Sequence, residues 1–187
     1  MEINESAFRN FPLLETPRLS LRDLRPYDEA ALYALRSDET IMRYIGRPLM
    51  TDPSDARALC ETIRDAYAQG NTLNWVLCPR EQDRLIGNIL FHKLDREHLC
   101  AEIGYMLHSD YWRQGLMEEA VRRVIRFGFE EIGFHSIYAR IDPANAASAA
   151  LLEKLGFSRV GHMRENYYFN GAFTDTVIYD LLRGEWA

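Results

Sequence analysis

The segment 110–121, Asp-Tyr-Trp-Arg-Gln-Gly-Leu-Met-Glu-Glu-Ala-Val, most constrains what this chain can fold into. An apolar run over 99–107 ends just before it, and a helical repeat starts inside it and continues to about residue 131. Leu116, Ala120, Val124 and Phe127 fall on one helical stripe, with Met117, Val121 and Ile125 beside it. Glu118 and Glu119 sit in the first turn and Arg122, Arg123 and Arg126 come later, the charge order that a helix dipole favours. Gly115 stands at the entrance, where backbone can approach a ligand closely. A short turn feeding a helix start leaves several N–H groups without partners, and these suit an anion such as a pyrophosphate. A single glycine is a weak motif, and making the turn would explain it equally well.

The surrounding pattern is α/β. Residues 18–22 alternate as a short strand after Thr16-Pro17. Helical patterns follow over 28–35, 38–44 and 54–69, the last with Asp52 or Ser54 as cap and Gly70 as stop. Three strands are expected over 73–78, 84–94 and 99–107, joined by short polar connectors into an antiparallel meander. A strand over 136–141 follows the 116–131 helix, so strands 99–107 and 136–141 should run parallel. A short helix over 145–155 has Asn145 as N-cap and Gly156 as stop. Two final strands, 157–169 and 173–182, flank Asn170-Gly171, a strong hairpin signal. No repeat or linker interrupts the pattern. One domain over 1–187 is expected, with 1–14 as an N-terminal arm of little pattern.

Composition narrows the function. The net charge of −6 argues against broad nucleic-acid binding and is compatible with a cationic acceptor such as an amine or a basic peptide. The three cysteines, Cys60, Cys78 and Cys100, form no Cys-x-x-Cys pair, so they read as reduced core residues without a disulfide framework or zinc. No apolar run is long enough to cross a membrane. A cytoplasmic protein without metal is expected.

Several local motifs then meet in one order: Glu15-Thr-Pro-Arg-Leu-Ser-Leu-Arg22, Ala101-Glu-Ile-Gly-Tyr105, Tyr111-Trp-Arg-Gln-Gly115 with Glu119-Ala120, Asn145-Ala-Ala-Ser148, and Glu153-Lys-Leu-Gly-Phe157. In this order and spacing the chain resembles the GNAT superfamily of acetyl-coenzyme A-dependent N-acetyltransferases. It is most similar to the branch acting on ribosomal-protein N-termini (RimJ/RimL-like). The resemblance implies a GNAT-like mixed sheet, mostly antiparallel, with one splayed parallel strand pair flanked by helices. It implies acetyl-coenzyme A as co-substrate and a primary amine as acceptor, preferably the N-terminal amine of a peptide or protein, a basic protein N-terminus included; a small amine (polyamine, amino acid or antibiotic) and a non-catalytic acyl-coenzyme A sensor are the alternatives. The subunit would act as a monomer or homodimer. The family's pyrophosphate loop falls on Trp112, Arg113, Gln114, Gly115, Leu116 and Met117. Met117 stands where the superfamily form has Gly or Ala; because the loop binds through backbone N–H groups, its side chain can point away. Met106 and Leu107, at the end of the splayed strand, and Asn145 are the further cofactor-binding candidates, although Asn145 would equally serve as a plain helix cap.

Direct attack of an amine on a thioester needs a proton acceptor, and the departing thiolate benefits from a donor. Glu102 is the candidate base, a carboxylate in an otherwise apolar strand; pairing with an arginine on the sheet face is its structural alternative. The tyrosine that many such enzymes place before Lys-Leu-Gly-Phe is Leu152 here. Ser148 is the candidate donor in its stead, and ordinary service in a first helical turn is its alternative. His92 and His108 can line a cleft near strand ends. Tyr44, Trp75, Tyr167 and Tyr168 are candidates for shaping the acceptor pocket, and the acceptor should be set by 38–48 and the final hairpin.

Overall fold

The computed structural model describes residues 2–186. Eight strands form one sheet in the order β1-β2-β3-β4-β5-β6-β8-β7. The elements in chain order are β1 (Leu14–Glu15), β2 (Leu19–Arg22), α1 (Glu29–Ser37), α2 (Glu39–Met42), α3 (Pro53–Ala68), β3 (Leu73–Pro79), β4 (Gly87–Asp95), β5 (Cys100–Leu107), α4 (Leu116–Phe127), β6 (Ser136–Ile141), α5 (Ala146–Lys154), β7 (Ser158–Phe169) and β8 (Ala172–Leu182). All pairings are antiparallel except β5 with β6, as the strand–helix–strand reading requires.

Period-2 alternation divides β5 between two cores. Ala101, Ile103 and Leu107 face the larger core, with the apolar stripe of α4, Trp75, Phe91 and Phe134. Met106 faces the smaller one, under α1 to α3, with Leu32, Leu35, Val76 and Cys78. Trp75 is therefore a core side chain, fully buried with its indole N–H on Pro12 O, and takes no part in an acceptor pocket.

Local differences from the sequence pattern have local causes. β4 begins at Gly87 rather than 84, because Ile86 donates to Leu77 O on one side while its own carbonyl accepts from His108 N–H on the other, a bulged start. A Cβ on Gly87 would meet Met106 O at 2.5 Å, which excludes any larger residue there. α4 stops at Phe127 and continues as a π-helical turn, Gly128–Ile132. Asp52, not Ser54, caps α3. Of the expected 1–14 arm, the described residues from 2 onward pack on the body: a 3-10 turn spans Glu5–Phe8, Ile3 and Ala7 are buried, and Leu14–Glu15 adds the first strand. Asn170 and Gly171 both adopt positive φ, 50° and 80°, as the tight hairpin demands.

Candidate active site

The site begins where the sheet opens. β5 and β6 pair only through Cys100↔Ser136, Ala101↔Ile137 and Glu102↔Tyr138. Beyond that point β5 stays with β4 and β6 stays with β8, so the two strands part. Met106 O points at β4, as does His108 N–H, which donates to Ile86 O at 2.8 Å. Peptide alternation then turns the N–H groups of Tyr105 and Leu107 away from β4, into the gap. Met106 spends its amide on β4 and its side chain in the smaller core. Of the two strand-end candidates, Leu107 is the one that faces the gap, and Met106 supports it from behind.

The turn after β5 is shaped for an anion. Trp112 donates its indole N–H to Leu107 O at 2.7 Å, and Gln114 Nε2 donates to Asp110 O at 2.9 Å. Arg113 and Gly115 both take left-handed backbone, φ 58° and 74°. Gly115 is the N-cap of α4 and offers no side chain to its amides. Glu119 is the first residue of α4 whose N–H closes a helical bond, to Gly115 O at 3.1 Å. The N–H groups of Leu116, Met117 and Glu118 therefore remain as first-turn donors at the positive end of the dipole. Leu116 is buried and Met117 packs against the larger core, so neither side chain obstructs the turn.

Two carboxylates in this first turn would repel an anion if left alone. Each has a cation: Lys154 Nζ lies 2.6 Å from Glu118, and Arg18 Nε lies 2.7 Å from Glu119. Arg18 also donates to Gln114 O at 2.8 Å and offers its backbone N–H to Glu119. The strand motif that contains Arg18 marked a strand; its bracing of the turn, made across nearly a hundred residues of sequence, carries no local signal. Arg18→Ala is expected to weaken coenzyme A binding about tenfold, equivalent to ~1.4 kcal/mol, by loosening the turn and baring Glu119. Titration calorimetry checks this, and the Arg18→Ala, Glu119→Gln pair should recover part of the loss.

Glu102 is 6% exposed, on the sheet face opposite α4. Lys93 Nζ and Arg140 Nε reach its Oε2 at 2.9 and 3.0 Å, and His92 Nε2 lies 3.6 Å from Oε1. Burial pushes the carboxyl up to about 7. The two cations act in the opposite sense and keep the anion within reach at neutral pH. His92 is pushed down, first by burial and then by Arg140 and Arg47, and stays neutral there. The expected arginine pairing and the expected raised pKa thus occur together.

Ser148 is 8% exposed on the other side of the gap. Asn145 caps α5 by accepting from Ser148 N–H at 3.1 Å, which fixes the serine in the first turn. Ser148 Oγ lies 2.8 Å from the hydroxyl of Tyr105 on β5. Burial pushes the Tyr105 hydroxyl up to about 12, so it holds its proton at any working pH. This hydroxyl pair was not legible in sequence, since Tyr105 appeared only as part of a strand motif. Tyr167 joins the hairpin to the 43–49 loop by donating to Gly46 O at 2.5 Å, whereas Tyr168 is exposed and packs its ring, tilted, against Phe173. His108 caps the turn before Trp112 and lies away from Glu102 in the register. Among the described residues no cluster of three His, Cys, Asp or Glu could hold a metal.

Helix N–H donors beside a parted strand pair can grip a diphosphate and thread a thioester arm into the sheet, with a carboxylate on one face of the gap and hydroxyls on the other. That layout defines an acyl-carrier-dependent transferase. The GNAT acetyltransferase domain model matches residues 18–158, and the chain belongs to that family. It is an acetyl-coenzyme A-dependent N-acetyltransferase. It is similar to the uncharacterized N-acetyltransferase YoaA of Bacillus subtilis, 35% identical over 173 residues, covering 92% of this chain and 98% of that one. The [Ribosomal protein uS5]-alanine N-acetyltransferase of Escherichia coli is 29% identical over 136 residues, covering 72% and 70%. Among solved structures, a GNAT acetyltransferase of Bacillus anthracis superimposes with TM-score 0.83 at 28% identity, covering 93% of this chain and all of that one. Among the described residues no helix is long and apolar enough to cross a membrane.

Proposed function

We propose that this chain acetylates the N-terminal amine of a peptide or protein, as a member of the ribosomal-protein branch of the family. The neutral amine attacks the thioester carbonyl, a C–N bond forms, and Glu102 takes the released proton directly or through water. The C–S bond then breaks, and Ser148 hydrogen-bonds the departing thiolate. One observation carries this reading: the β5–β6 pairing ends at Glu102↔Tyr138, so the gap opens at the candidate base itself. Glu102 and Ser148 then flank the gap from opposite sheet faces, which suits an amine arriving on one side and a sulfur leaving on the other. In this reading the diphosphate lies on the first-turn amides of α4, next to Trp112, Arg113, Gln114, Gly115, Leu116 and Met117, and Leu107 holds the arm. Asn145 acts through the cap that fixes Ser148.

The preference for an N-terminus over a small amine rests on two supports. The Glu102 face is bordered by the 43–49 loop and the final hairpin, linked at Gly46 and Tyr167, a rim suited to an extended chain. The Escherichia coli relative is an N-acetyltransferase of an alanine of ribosomal protein uS5. The test is free-thiol release from acetyl-coenzyme A with N-terminal peptides and small amines side by side, with the acetylated product read by mass. Peptides should be the faster acceptors. Coenzyme A binding without thiol release for any amine would remove the proposal.

A further inference from the structure

The whole chain is acidic, yet the immediate surroundings of Glu102 are not. Lys93 has positive φ, 49°, and stands in a register shift between His92 and Asp95. A non-glycine residue in left-handed backbone costs about 1–2 kcal/mol. Here the bulge spends that strain on turning Lys93 Nζ to the same carboxylate that His92, its neighbour, also faces. Arg140, on the adjoining strand, meets Glu102 through Nε and is itself exposed.

The positive charge extends outward. Arg47 is exposed in the loop held by Tyr167, and is close enough to act on both His92 and Arg36. Arg36 Nε is buried with no hydrogen-bond partner among the described residues. Two of these four cations, Lys93 and Arg140, pair with Glu102, and Asp95 is close enough to act on Tyr138 beside it. Asp180 shares the sheet face, opposite Tyr138 on β8, but is itself raised by burial and by Glu185. Asp142, past the end of β6, accepts from Ala144 N–H.

Resting on the N-acetyltransferase reading, we infer that the acceptor is an amine carrying a carboxylate close by, which Arg140, Lys93 and Arg47 recognise around the base. A free α-amino acid and a peptide with acidic residues just after its N-terminus share this chemistry. A polyamine would bring further positive charge into the cationic rim and be disfavoured.

The test measures kcat/KM with acetyl-coenzyme A for three peptides identical except at their second and third residues, which are Asp-Asp, Ala-Ala or Lys-Lys. Free glutamate and spermidine complete the panel. The acidic peptide should exceed the basic one by about tenfold at low salt, and the ratio should shrink toward one as ionic strength rises. Glutamate outrunning all peptides would support the same recognition from the smaller source. Arg47→Glu should narrow or reverse the order. Preference for the basic peptide or spermidine, or no order by charge, overturns the inference while leaving acetyl transfer intact. Absence of thiol release with every amine removes the transfer reading and this inference with it.

Discussion

Replacing Glu102 by glutamine is expected to lower kcat by about 10²- to 10⁴-fold, the range that a positioned general base supplies. Binding of coenzyme A should change little, because Glu102 lies on the face away from the α4 amides. The pH dependence gives the sharper reading. The carboxylate is the form that accepts a proton, and its pKa is pushed up to about 7 by burial. The wild-type kcat/KM should therefore carry one rising limb through that pH and a second from the acceptor amine, and level off only above both. Glutamine removes this limb, while a limb near ~8 from an N-terminal acceptor amine stays. Steady-state rates across pH 5.5 to 9.5, about four units centred on these values, separate the two. A limb near 7 that survives in Glu102→Gln would place the base elsewhere. His92 would not account for it, since burial and its arginine neighbours push that imidazole downward.

The parts of this site that could be read from sequence are those carried by local spacing. The α4 stripe, Gly115 at its entrance and the Asn145 cap each depend on residues within one turn of each other, and the structure contains all three. The parallel pairing of β5 and β6 followed from a strand–helix–strand order alone. The missing parts are made by contacts between distant segments or by backbone irregularity. Arg18 reaches Gln114 and Glu119 from a strand near the N-terminus. Lys93 faces Glu102 only because a bulge breaks the period-2 pattern, which would otherwise place it opposite its neighbour His92. The two strand-end candidates were likewise separable only by peptide orientation, which period-2 side-chain patterns do not reveal. Net charge carries no such detail: it sums the whole surface, whereas an acceptor meets the few groups around one carboxylate.

Ser148→Ala is expected to lower kcat by about 10²-fold, the loss of one hydrogen bond aimed at developing charge. Tyr105→Phe should cost about tenfold, and the double variant no more than Ser148→Ala alone. The reason is directional. Tyr105 keeps its proton and has Ser148 Oγ as its hydroxyl partner at 2.8 Å; either hydroxyl can donate, and these losses are those expected with the tyrosine as donor. A serine that accepts from tyrosine has its own single proton left to give, and the accepted bond polarises that proton further. The contact reaches from α5 to β5 across the gap, where the proposed reading has the thiolate emerge. Tyr105 then works only through Ser148, and its removal adds nothing once Ser148 is gone. Asn145→Ala provides the contrast: it loosens the cap, costs about 1 kcal/mol of stability, and should alter kcat less than Ser148→Ala does. Kinetics paired with thermal unfolding separate these outcomes. Additive losses in the double variant would mean that tyrosine and serine act independently. A Ser148→Ala variant with full turnover would reduce the pair to a packing contact and leave solvent to protonate the sulfur.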